Sequence, residues 1–433
     1  MKKTLFMIGA LVVLFSGAWA GGQKEGGKAS LAGEVTFWQS YPEVNTVYSE
    51  FATEYMAQHP EAKITLTLFT ARAFDDKLNT AMPAGTAGDI LEGWDGQLWP
   101  YISGGLIDKL PDPMLDYYKK TIMKMLQREG EIYGIPTFVG LKYLFWNKKW
   151  FKEKGLDRAP KTLTEMMEYA RKLTIYDSAG NPEKAGLAFR LSGGGYGLAE
   201  KWWMKTLGPM GKAPLEKTVA GKWASNFDTP EAANAVQYYL DGLYKYKVDA
   251  QSIERDIAGF AKEKSAMIQK EAQAIPFLDE NAPKMEYDIA VIPGDKYWGT
   301  LAVIIGSYVN AKCKNKALAW DVVKFFNTPE RHRTMFLKTG WNPVRGDVDY
   351  EPVYKEKPRY RGLMDFPKGY GAYFYPINNS FAEIWPKTGE WLTKMYTRQD
   401  LVGNRAELEK ECKAFSDQVN KILTDNNEFA PKK

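Results

Sequence analysis

The chain has 433 residues, with 58 Lys and Arg against 53 Asp and Glu, for a formal net charge of +5. So even a balance, with no run of like charge, leaves no basic footprint for nucleic acid. The length exceeds what one hydrophobic core organises, so two domains are expected.

Lys2 and Lys3, the apolar run from Leu5 to Phe15, and the small-x-small ending Ala18-Trp19-Ala20 read as an export signal over residues 1–20. The run is too short for a stable membrane span. Residues 21–30, rich in Gly and Lys, read as a flexible leader. No Cys lies near the expected cleavage site, so no lipid anchor is expected there. No later segment holds a long uninterrupted apolar stretch, and the mature chain is expected to be soluble.

Glu34 to Gln39 reads as a strand, and Val44, Val47, Tyr48, Phe51 and Tyr55 then recur at helical spacing. Ile64, Leu66 and Leu68 alternate as in a second strand. Phe74 to Met82 reads as a helix stopped by Pro83 and Gly85, and Asp89 to Gly93 as a third strand. Alternation of this kind predicts a parallel sheet with helices on both faces. Further on, Thr162 and Glu165 form a capping box, and Thr229-Pro230-Glu231 and Thr328-Pro329-Glu330 are helix starts. Gly186 to Leu191, Tyr287 to Ile292 and Leu301 to Val309 read as strands, the last one buried. Residues 404–423 read as a long helix.

The stretch from Glu131 to Thr174 carries the most information. Tyr133-Gly134-Ile135-Pro136 opens it, and the aromatic strand Tyr143 to Trp146 leads into Asn147-Lys148. Phe151, Lys154-Gly155-Leu156 and Ala159-Pro160-Lys161-Thr162 follow. Other pieces continue the pattern: Ser49 to Pro60, Gly88-Asp89-Ile90, Gly104 to Asp108, Phe260 to Met267 and Gly340 to Arg345. In that order and spacing the chain resembles the extracellular solute-binding proteins of ABC importers, family 1, the maltose- and oligosaccharide-binding-like group. Glu263-Lys264 stands where Gly-Lys is usual for that family.

The resemblance implies an α/β fold of two lobes, joined by several chain crossings, with a ligand cleft between them. Residues 31–145 plus 305–345 would form the first lobe, and residues 146–304 plus 346–433 the second. The crossings would fall near Tyr143–Asn147, Gly299–Ile304 and Val344–Asp349. It also implies capture of a sugar outside the inner membrane and delivery to transmembrane permease subunits. The protein would be a monomer, with no cofactor and no chemistry of its own.

In parallel α/β sheets, ligands bind beyond the carboxyl ends of strands. Trp38, Gln39 and Tyr41 follow the first strand, Arg72 the second, and Trp94-Asp95 the third. A stacking face, an amide, a guanidinium and a carboxylate suit a polyol. Each has a plainer reading: Asp95 as a turn residue in Trp-Asp-Gly, Trp38 as a core indole, Arg72 as a solvated charge. On the second lobe, Lys201-Trp202-Trp203 follows a glycine run. Adjacent helical residues point about 100° apart, so one indole is expected to face the cleft, taken to be Trp202. Trp298, Trp341 and Tyr370 are further candidates beside Gly or Pro, with ordinary packing as the alternative.

Other chemistries are poorly supplied. His59 and His332 are the only histidines and read as solvated. Cys313 and Cys412 are not in C-x-x-C spacing, so no zinc site is expected. The two thiols could pair after export, but separate thiols are the plainer reading. There is no G-x-S-x-G elbow, and the glycine run lacks the Lys-Ser/Thr of a phosphate loop. A glycan-active enzyme would need two positioned carboxylates, which composition cannot reveal. A transport fold holding a polyamine or a phosphate ester remains an alternative ligand reading.

Overall fold

The computed structural model describes residues 31–124, 127–191 and 196–432. The expected export signal, the leader and Gly193 to Gly195 lie outside the described residues, as do the side chains of Ala71, Arg72 and Tyr196. The chain opens with β1 (Gly33–Gln39), α1 (Pro42–Gln58), β2 (Ala62–Leu68), α2 (Ala71–Ala84), β3 (Ile90–Trp94) and α3 (Asp95–Ser103). Pro42 starts α1 with a preset backbone angle, and Gly85, at φ 69°, ends α2 in the left-handed region that glycine adopts without strain. β1 lies between β2 and β3 and is parallel to both, with Val35 opposite Ile64 and Phe37 opposite Ile90.

The long strand β4 (Gly134–Asn147) is buried along its whole length. It is followed by α4 (Lys148–Glu153), α5 (Leu163–Leu173), α6 (Tyr196–Trp202) and α7 (Pro230–Leu240). Asn147, Thr162 and Thr229 each accept a backbone N–H of the first turn that they cap. The capping box at α5 is asymmetric: Thr162 accepts from the Glu165 N–H, while the Glu165 carboxylate takes the Lys161 N–H rather than that of Thr162. Then come β5 (Met267–Glu271), β6 (Tyr287–Val291) and β7 (Gly299–Val309). The remaining elements are α8 (Lys316–Phe326), α9 (Pro329–Thr339), β8 (Asn342–Pro343), β9 (Gly371–Tyr373), α10 (Phe381–Met395) and α11 (Arg405–Asp425).

One sheet runs in the order β5-β4-β7-β3-β1-β2. Its parallel pairs are those of β3-β1-β2 and the short pair β7-β9, with Gly299 opposite Gly371. β7 is antiparallel to both β3 and β4, which corrects the all-parallel expectation. The reason is the path of β4. Up to Leu141 it pairs with β7, and from Lys142 onward it pairs with β5 and β6. The strand thus changes partners at Leu141–Lys142, and β7 returns beside its first part in the opposite direction.

Two other expectations change. Gly186 to Leu191 is not a strand: one bridge, Ala185 to Ser265, precedes it, the Ala188 N–H reaches the Met267 carbonyl, and the Phe189 N–H goes to the Asp249 carboxylate instead of a ladder partner. His332 is not solvated. It sits on the inner face of α9, and burial, aided by Arg345, lowers its pKa to about 3, so it is neutral. Cys313 and Cys412 are separate, buried free thiols. No described helix is long and apolar enough to cross a membrane.

Close approach explains Gly186. A Cβ there would lie 1.8 Å from the Ala170 carbonyl oxygen in α5, a backbone atom that cannot swing away. Gly186→Ala is expected to cost about 1–3 kcal/mol, read as a lower urea midpoint at unchanged slope.

Candidate functional site

The C-terminal ends of β1 and β3 and the partner change of β4 open on one cavity of about 210 Å³. Its walls are aromatic. Tyr41, one residue into the β1–α1 turn, sits edge-on to Trp341 at 6.0 Å between ring centroids. Trp341 in turn packs on Phe138 of β4 at 5.0 Å. Opposite, Trp94 at the end of β3 meets Tyr375 at 5.1 Å and Phe381 of α10 at 5.6 Å, residues far away in sequence. Gly96 makes this possible: a Cβ there would lie 2.1 Å from the Trp94 ring.

The polar part of the lining is denser than the walls. Lys142, 3 % exposed, stands where β4 changes partners. Its ammonium donates to Glu271 at the end of β5 and lies 3.1 Å from Glu200 of α6. Lys201 completes the group, 3.0 Å from Glu271 and 3.1 Å from Glu200. Burial alone would raise the Glu200 carboxyl, but Lys142 and Lys201 pull it down to about 2. Glu271 is lowered further, by the same two cations against the same burial. Both carboxylates are therefore held ionised, and the formal charges of the quartet sum to zero. Tyr375 donates to the second oxygen of Glu200 at 2.8 Å. On the first-lobe side Gln97 donates its amide to Asp75, while its amide oxygen is buried without a partner. A buried unpaired acceptor costs about 1–3 kcal/mol, and Gln97 is one of the residues that line the cavity.

Of the residues expected from sequence, Tyr41, Trp94 and Trp341 line this cavity together. The others stand elsewhere. Gln39 is fully buried and builds the β1–α1 turn, donating to Asn45 and accepting from the Tyr41 N–H. Trp38 packs edge-on against Phe69, with its ring over Gly88. Asp95 lies behind Trp94 at the start of α3, its carboxylate accepting from the Gly96 N–H at 3.0 Å. The carboxylate is thus engaged in the turn, and burial raises its pKa to about 7. Trp202 is 0 % exposed and stacks on Phe227 in the core; Trp203 is buried too, against Trp385 of α10. α6 is covered on both sides, so the rule that one of two neighbouring indoles must face out fails. Trp298 is 38 % exposed and meets Tyr370 edge-on, and neither ring lines the cavity. The Tyr370 hydroxyl accepts the Ile292 N–H. Arg72 begins α2, and its side chain lies outside the described residues.

Lys142, Glu200, Glu271, Asp75, Gln97 and Tyr375 were not legible as a site. The one local signal is Lys142 itself, a lone charge inside the otherwise uncharged strand from Gly134 to Asn147. Among the described residues there is no group of three or more His, Cys, Asp or Glu placed to hold a metal ion.

The family model described as bacterial extracellular solute-binding protein matches residues 50–362. The chain belongs to that family. It is similar over 84% of its length to the galactooligosaccharide-binding protein of Bacillus subtilis, at 23% identity and covering 85% of that relative. Solved structures share the fold. A maltose-bound T. maritima protein superposes with a TM-score of 0.75 at 18% identity, over 90% of this chain and 100% of that one. An ABC substrate-binding protein from Listeria monocytogenes in complex with cycloalternan does so at 0.74 and 17%, over 90% and 99%. These are two-lobe binding proteins, and the two-lobe architecture read from the sequence holds for this solute-binding protein.

Two outcomes follow from the charges. Lys142→Met leaves two buried carboxylates facing one cation, and is expected to cost about 3–5 kcal/mol in a chemical-denaturation experiment at pH 7. Asp95 behaves oppositely. Its folded pKa is raised above the unfolded value, so its ionisation penalises the fold increasingly from about pH 4 to 7. Asp95→Asn should therefore raise the thermal midpoint at pH 8 and leave it nearly unchanged at pH 4, checked by paired melts of both proteins.

Proposed function

We propose that this chain is the substrate-binding component of an ABC importer and that its ligand is a sugar or short oligosaccharide. The observation that carries the reading is the lining itself. Four aromatic rings flank a space whose polar groups are three carboxylates, two of them paired with the Lys142 ammonium that also lines it, the Gln97 amide, and hydroxyls. Aromatic faces pack on the C–H face of a sugar ring, and the free Gln97 oxygen and Asp75 take its hydroxyl protons. The zero sum of the ion quartet favours a neutral polyol over a polyamine, which would call for several unpaired acids. At about 210 Å³ the cavity equals about seven waters of roughly 30 Å³ each. That volume suits one or two sugar rings in the arrangement seen here, and a longer chain needs the lobes further apart.

The lobes are proposed as residues 31–145 plus 305–345 and 146–304 plus 346–433. β4 and β7 are the crossings on which they turn. Hinge closure around a ligand is the established motion of periplasmic binding proteins. A ligand that touches both Tyr41 and Tyr375 gains its second set of contacts only in the closed form, and so shifts the population toward closure. The closed protein would dock on transmembrane permease subunits, outside the inner membrane. It would act as a monomer and leave its ligand chemically unchanged.

A thermal-shift screen over mono-, di- and oligosaccharides, with polyamines and phosphate esters alongside, tests the reading. A ligand bound only by the folded state at 100 times its Kd adds about 2.7 kcal/mol of stability. At least one neutral sugar is expected to raise the melting point and to change tryptophan fluorescence, with Trp341→Ala weakening the response at least tenfold. A response confined to polyamines or phosphate esters would replace the sugar assignment.

A further inference from the structure

A second cavity of about 280 Å³ lies on the other side of the ion quartet, wholly within the second lobe. Lys201 belongs to both: it lines this space and pairs with Glu200 and Glu271, which line the first. The second cavity is cationic. Lys205, on the turn that extends α6, is 2 % exposed and has no carboxylate partner among the described residues. Its ammonium donates to the Ala188 carbonyl at 2.6 Å and lies over the Phe189 ring at 5.6 Å, which leaves two of its three protons unassigned. Arg190 and Arg255 also line the space. Arg255 is satisfied by Asp249 at 2.5 Å, but Arg190 reaches Asp256 only at 3.9 Å and shares it with Lys270.

Gln269 of β5 is the second, independent observation. It is 4 % exposed, lines this cavity, and neither its amide nitrogen nor its amide oxygen has a partner. Native proteins leave few buried side-chain amides empty at both ends. The Arg190 Nε is likewise buried and unpartnered. Unused donors from a lysine, an arginine and an amide thus converge on one enclosed space that carries an excess of positive charge.

We propose that this cavity is a carboxylate-binding subsite, in which Lys205 supplies the charge and Arg190 and Gln269 the orienting donors. Arg190 and Lys270 share Asp256, and Lys205 has no carboxylate among the described residues, so the excess is one positive charge with Lys205 neutral and two with it protonated. The planar donor groups of Arg190 and Gln269 match a planar carboxylate. The carboxylate has two sources: the acid group of a uronate-containing carbohydrate held at the cleft, which rests on the sugar reading above, or a small free carboxylate, which does not.

The cavity sets a pH signature. Burial, and then the neighbouring Lys201, lower the Lys205 pKa to about 7; Asp249 and Asp256 oppose this and Arg255 adds to it, with Arg190 also facing the space. A lowered lysine pKa means that the charge is present below about pH 7 and lost above it. A bound carboxylate stabilises the charged form, so binding above pH 7 draws in a proton.

The test is calorimetric titration of the full exported chain with a glucuronate-terminated disaccharide, its neutral glucose counterpart, and acetate. It is run at pH 6 and 8.5 in buffers of different ionisation enthalpy. The acidic disaccharide is expected to bind at least tenfold tighter than the neutral one at pH 6. The advantage should shrink about tenfold at pH 8.5, with proton uptake there, and vanish in Lys205→Met while the neutral sugar is unaffected. Acetate binding with the same Lys205 and pH dependence also supports the subsite and assigns it to a free carboxylate. If all neutral sugars fail while a carboxylate binds in this way, the sugar reading falls and the subsite stands. If no carboxylate binds wild type with proton uptake or with sensitivity to Lys205→Met, the proposal is overturned.

Discussion

Four buried charges hold the middle of this molecule. Lys142 sits on β4 where the strand leaves one lobe for the other, Glu271 ends β5, and Glu200 and Lys201 are consecutive on α6. Taking ions out of water is expensive, and a buried pair is weak evidence of stability by itself. What the quartet supplies is position. Each carboxylate is shared by two ammonium groups, so neither cation can move without leaving an unpaired charge in a dry place. The point at which β4 changes partners is thereby fixed to the ends of two second-lobe elements, and the cleft has a floor of defined shape and zero net charge.

The aromatic cavity and the cationic one meet at this floor. On the cleft side, rings from both lobes approach each other and the polar groups are those that suit hydroxyls. On the far side, the donors exceed the acceptors. Lys201 belongs to both, so the charge state of one cavity bears on the other through a single side chain.

Much of the fold was legible because it is written locally. Thr162, Thr229 and Pro329 mark helix starts by backbone chemistry, and Leu301 to Val309 reads as buried because nothing in it is charged. The order of the family motifs carried the two-lobe architecture. What failed did so where tertiary context decides. Gly186 to Leu191 has strand composition, but the Asp249 carboxylate takes a donor that a ladder would use. Trp202 and Trp203 break a helical-face rule because α6 is enclosed on both sides. The site was half legible: Tyr41, Trp94 and Trp341 follow strand ends or helix ends, whereas Glu200, Glu271 and Tyr375 come from distant segments and meet only in the fold. Gln39 and Asp95 were read as ligand groups because they lie at the right strand ends; the turns that begin α1 and α3 use them first.

The account rests on two lobes that close on a small molecule across β4 and β7. Small-angle scattering of the exported chain, with and without a ligand identified by thermal shift, tests this most directly. The radius of gyration is expected to fall at saturation, in proportion to the bound fraction. An unchanged radius at full occupancy would contradict it.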